Sequence, residues 1–154
     1  MDGILKNKEY YFYKILKWLK TKEIDMDNDF LCDFHINKWI RIESNKDWLD
    51  VGITMFNLLR NKIAKYYPNL KVMIAFYLSS THQTKIPKSI TKRNFKKNTY
   101  IPPVIFLYSN KIDVKDIMGN DSFFLPEISN KYKIKAYYTE QKEDVVYRTI
   151  YMYD

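Results

Sequence analysis

The sequence predicts an α+β fold: one domain over residues 1–154, in which two long amphipathic helices pack on a mixed β-sheet that closes with a C-terminal hairpin. Three observations carry that expectation. Two segments in the first half repeat apolar residues at helical spacing. Two apolar runs in the middle read as strands buried on both faces. Residues 132–153 alternate around a polar turn. With 154 residues, 46% of them apolar and 17% aromatic, the chain is large enough to bury a core and too apolar to be disordered as a whole.

The first helix is expected over 4–22, ILKNKEYYFYKILKWLKTK. Leu5, Phe12, Ile15, Leu16 and Leu19 recur on one face, while Lys14, Lys17 and Lys20 form an i, i+3 row on another. An acidic turn, EIDMDNDF, follows, and FLCDFHINKWIRI (30–42) reads as a strand or short hairpin kinked near Asn37. Ser44 is a suitable N-cap, with Asp47 three residues on in a capping-box-like position. The second helix, about 46–66, lines up Trp48, Gly52, Met55, Leu59, Ile63 and Tyr66, and Pro68 ends it because the residue before proline avoids the helical region.

LKVMIAFYLS (70–79) and PVIFLY (103–108) are the two interior strands. Between them lies a long basic loop at about 80–101, of a length that is usually functional where it occurs in a compact domain. Residues 113–118 form one helical turn stopped by Gly119, and DSFFLPEISN is a loop anchored by its phenylalanines. In the hairpin, Ala136 and Tyr138 share a face opposite Lys133, Lys135 and Tyr137. On its second strand Val146, Arg148, Ile150 and Met152 alternate with Tyr147, Thr149 and Tyr151.

Charge is the most uneven property of the chain. Between Asp50 and Asp113 lie 62 residues with no Asp or Glu, where an even spread of the 18 acids puts about seven. The same stretch holds 11 cations, while the remaining 15 cations and 18 acids leave −3, so the net +8 arises entirely in the middle. KSITKRNFKKN (88–98) is its densest part. Codon bias in an AT-rich genome, such as that of a virus or mobile element, explains an excess of lysine (22 Lys against four Arg) but scatters it evenly; clustering points to a partner.

The expected function is therefore non-catalytic binding of nucleic acid or another polyanion. Its contact residues are Arg60, Lys62, Lys65, Lys85, Lys88, Lys92, Arg93, Lys96 and Lys97, with Ser89, Thr91 and Asn94 suited to fixing phosphates. Lys133 and Lys135 of the hairpin, beside tyrosines, are a second candidate contact of the kind single strands stack on. Two alternatives stand beside it: an inhibitor or accessory module docking an acidic protein surface, and a Mg-dependent nuclease. Short Asp/Glu-x-Lys elements for the latter occur at Asp113–Lys115 and Glu140–Lys142.

Other motifs fall short. Asp25, Asp27 and Asp29 imitate an EF-hand start, but Phe30 stands where glycine is required and Ile36 where the bidentate Glu belongs. Cys32 and His35, with the distant His82, are too few for a structural zinc site, and at i, i+3 on a strand they point to opposite faces. His82-x-Thr84 has no partner copy. No glycine-rich phosphate loop is present. No cofactor, metal or catalytic residue is expected. No uncharged apolar run approaches a membrane span, so no membrane partner is expected either. The lone cysteine and the charged N-terminus suit an intracellular, reducing compartment.

Overall fold

The apolar positions at helical spacing in the first segment become helix α1, Lys8–Lys20, which buries Phe12, Ile15, Leu16 and Leu19. The computed structural model describes residues 8–24, 30–40, 45–80, 99–119, 123–124, 135–142 and 145–153. The acidic turn at 25–29, Ser44 as a cap, and His82 lie outside them.

Strand β1, Leu31–His35, is a single strand rather than a hairpin, because a 3₁₀ turn at Ile36–Lys38 bends the chain where the kink was expected. Trp18 of α1 covers it, with ring centroids 5.8 Å from Phe34 and 6.0 Å from Trp39. Helix α2, Asn45–Lys62, tightens into a 3₁₀ turn at Ile63–Lys65. Trp48, Met55, Leu59 and Ile63 of the expected stripe are buried. Tyr66 is not: the tighter 3₁₀ winding turns it away from the stripe, leaving it 49% exposed.

Strands β2, Leu70–Ser80, and β3, Thr99–Ser109, form an antiparallel pair, each longer than its apolar run. Beyond Gly119 come the two-residue β4, Phe123–Phe124, and the hairpin of β5, Ala136–Lys142, and β6, Val145–Tyr153. The sheet order is β1-β3-β2-β6-β5-β4. Every described pairing is antiparallel, where a mixed sheet was expected. The reason is topological. β1 and β2, joined through α2, run parallel to each other, but β3 inserts between them and pairs with both. The expected polar tip TEQKED is mostly strand, since β5 continues through Lys142.

The register sorts the sheet into two faces. Phe34, Val72, Ile74, Phe76, Ile105, Leu107, Ile150 and Met152 pack under α1 and α2. Met73, Ala75, Tyr108, Ala136 and Tyr151 face the other way, against Met118 of helix α3, Val114–Met118. That short helix is capped by the Asp113 carboxylate, which accepts from the Lys115 backbone N–H at 3.0 Å, and it ends at Gly119 with φ 90°. Buried Ser109 ties the start of β1 to the end of β3, its Oγ accepting from Phe30 N at 3.1 Å.

Pro102 and Pro103 lie inside β3, where they cannot donate to the ladder, and the register accommodates them. Ala75 pairs with Val104 and Tyr77 with Ile101, so two β3 residues oppose one on β2. α2 crosses at this bulge through Gly52, where an added Cβ would stand 3.0 Å from a Phe76 ring carbon and 3.1 Å from Pro103 Cγ. Gly52→Val is expected to destabilise the protein by about 1–3 kcal/mol through overpacking, read as a lower midpoint in chemical denaturation with unchanged slope. An unchanged midpoint would show that the helix can lift off the bulge without loss.

Candidate nucleic-acid interface

The described cations of the expected central surface lie towards one end of β2. Arg60, Lys62 and Lys65 end α2 and its 3₁₀ extension, next to Lys71 at the start of β2. Lys111 follows the end of β3, beside the same strand start, since Leu70 pairs with Ser109. Lys22, two residues beyond α1, partly offsets the upward push of burial on the Cys32 thiol, which places it at this end of the sheet too. The strand ends Ser80 and Thr99, which flank the long basic stretch, stand at the opposite end, about 30 Å away by strand rise. The structure therefore does not bring the α2 cations to those strand ends. Lys85, Lys88, Lys92, Arg93, Lys96, Lys97 and Lys133 lie outside the described residues.

Within the helix-end group each cation has its own setting. Arg60 lies over the Phe56 ring, 5.5 Å from its centroid. Together with Lys71 it borders a cavity of about 280 Å³ lined also by Ile63, Leu70, Val72 and Tyr108. Lys62 ion-pairs with Glu9 of α1 and sits 5.5 Å from the Phe12 ring, so its charge joins the two helices. Lys65 and Lys71 are exposed. Described acids near this group include Glu9, paired with Lys62, and, around α3 on the other face of the sheet, Asp113 and Asp116.

The hairpin contributes less than its composition promised. Lys135 is half-buried just before β5, its backbone N–H donating to Tyr151 O at 3.0 Å. Tyr151 is buried and Tyr138 partly so in the second core cluster, and only Tyr147 of the described hairpin tyrosines is exposed. Burial also raises the pKa of Tyr77 and Tyr153, with smaller contributions from Asp33 and Asp113 respectively. That face is a packed layer rather than an open aromatic platform.

An aromatic and cationic surface lies instead on the helices. Tyr10 and Tyr13 on the outer side of α1 are exposed, as is Tyr66 beyond α2. Exposed Lys14, Lys17 and Lys20 run alongside. The lysine row was legible as the polar face of an amphipathic helix. The tyrosines interleaved with it in EYYFYKILK were the missed signal.

Cys32 pairs across to Leu107 on the helix side, while His35 pairs with Val104 on the other face, so the two diverge as expected. His35 Nε2 instead meets Asp33 Oδ2 at 2.8 Å, a bond that is the largest reason the Asp33 carboxyl titrates below its ordinary range. Asp113 of the nuclease-like element is occupied as a helix cap. Among the described residues no three His, Cys, Asp or Glu side chains converge on a possible metal position. Likewise no described helix is long and apolar enough to cross a membrane. Comparison of the chain with protein-family models, curated proteins and solved structures finds no match.

Two outcomes follow from these settings. Glu9→Gln releases Lys62, and is expected to cost at most about 1 kcal/mol in stability, as for an exposed ion pair, while tightening polyanion binding; weaker binding would mean that Lys62 acts only from its paired position. Burial, the largest cause, pushes the Cys32 thiol above its ordinary pKa. A thiol reagent should therefore react slowly at neutral pH, and faster only as pH rises past the usual thiol range or when denaturant is added. Fast reaction at neutral pH would contradict that setting.

Proposed function

We propose that the chain is a non-catalytic protein that binds nucleic acid through its basic middle. The observation that carries this reading is the 62-residue stretch with 11 cations and no acid. Part of the missing acid is structural, because β2 and β3 are interior strands of 11 residues each. Forty positions of the stretch remain outside them, and ten of the 11 cations fall there, all but Lys71. Core burial explains why strands lack carboxylates; it does not explain why helix end and connections lack them too.

Lysines flanked by hydroxyl and amide side chains suit phosphate, where cations supply counterion-release affinity and the neutral groups fix position. A basic surface also fits carboxylates, so an acidic protein is the competing partner. Binding of a labelled oligonucleotide across a salt series separates the two. Affinity should fall steeply between about 50 and 200 mM salt, and the double charge reversal Lys65→Glu, Lys71→Glu should weaken binding about tenfold or more and flatten the slope by roughly 1–2. No binding at low salt would defeat the proposal. Capture of an acidic protein that survives nuclease treatment would transfer the surface to that partner.

A further inference from the structure

Three of the five large hydrophobic side chains exposed among the described residues gather on the helix side: Tyr10 at 58%, Tyr13 at 59% and Tyr66 at 49%. Tyr10, Tyr13 and Lys17 stand at i, i+3 and i+7 of α1 and so share a face. Buried Phe12 links the rest, its centroid 5.9 Å from Tyr13 and 6.0 Å from Tyr66. Cations interleave with these rings. Lys14 Nζ is 5.2 Å from the Tyr10 centroid, and Lys62 Nζ is 5.5 Å from that of Phe12. The only acid of α1, Glu9, is engaged by Lys62, against Lys8, Lys14, Lys17 and Lys20 on the same helix.

The core does not require these tyrosines, since Phe12, Ile15, Leu16 and Leu19 already supply the buried face of α1. We propose that the Tyr10–Tyr13–Tyr66 surface with its lysines is a stacking platform for single-stranded nucleic acid. The inference rests on the nucleic-acid reading above and narrows its ligand. A single strand presents open base faces that stack on exposed rings while lysines follow its phosphates; in a duplex those faces are already stacked inside. Stacking on tyrosine is tolerant of sequence, because every base has a π-face. The positive surface supplies the charge complementarity.

The test compares labelled single-stranded and duplex oligonucleotides of equal length, using the full chain. The wild type should prefer the single strand. Tyr10→Ala with Tyr13→Ala should weaken single-strand binding about 5- to 100-fold with little change in salt slope and little effect on duplex. Tyr10→Phe with Tyr13→Phe, keeping the rings, should restore it. Lys14→Ala with Lys17→Ala should instead lower the salt slope, by roughly 0.7 for each phosphate that the lysines had neutralised. Circular dichroism checks that each variant keeps its helices. Equal affinity for both forms, or an alanine pair that binds like wild type, overturns the platform while leaving nucleic-acid binding intact. Absence of salt-dependent binding to either form overturns the broader reading instead.

Discussion

Burial of β2 on both faces is the constraint on which the rest of the structure depends. Val72, Met73, Ile74, Ala75 and Phe76 are all buried, so one side of the strand must be covered by helices and the other by a second layer. The first requirement recruits α1 and α2; the second recruits α3 and the tyrosines of β6. A strand with no solvated face has no place for charge along its middle. Charge is consequently expelled to its two ends, to the outer faces of the helices and to the connections. The hydrophobic layout thus accounts for the uncharged middle of β2, but not for the lack of acids at the helix end and in the connections.

That layout was largely legible in the sequence. Contiguous apolar runs with no alternation identified β2 and the second half of β3, and helical spacing identified the buried faces of α1 and α2. Gly119 marked the end of α3 because a residue tolerant of positive φ is a local requirement, while the Asp113 cap at its start emerged only in the structure. Strand order and direction were not legible. Nothing local announces that β3, distant in sequence from β1, inserts between β1 and β2, and it is this insertion that makes the sheet antiparallel. The prolines concealed the first part of β3 as well, because a bulge that tolerates them is created by pairing with β2 and not by the residues themselves.

The candidate surface was legible in kind but not in place. Counting charges along the chain located a basic stretch, yet sequence proximity joined the end of α2 to Ser80, and the full length of β2 separates those two points. Conversely, Tyr13 and Tyr66 are 53 positions apart in the chain, and only the packing of α1 against the end of α2 brings both beside Phe12. A pattern search along one helix finds the lysines and reads them as solvation. The buried core shared by α1 and α2 sets how the two helices meet, and the ion pair between Glu9 and Lys62 marks that junction at the surface.

The separation along β2 has a consequence for how the cations act. Groups more than about 10 Å apart that share no partner contribute independently to stability and binding. Arg60 and Lys71 border one cavity at the start of β2. A second group of cations carried at the opposite strand ends, Ser80 and Thr99, would stand roughly 30 Å along the sheet. A compact anion bridges no such distance, whereas an extended polymer does. If one ligand engages both groups, it is a chain of charges and not a single phosphate, and its affinity grows with length until it spans the strand. By excluding charge from the middle of β2, the hydrophobic layout would leave such a ligand to meet cations only towards the ends of the strand.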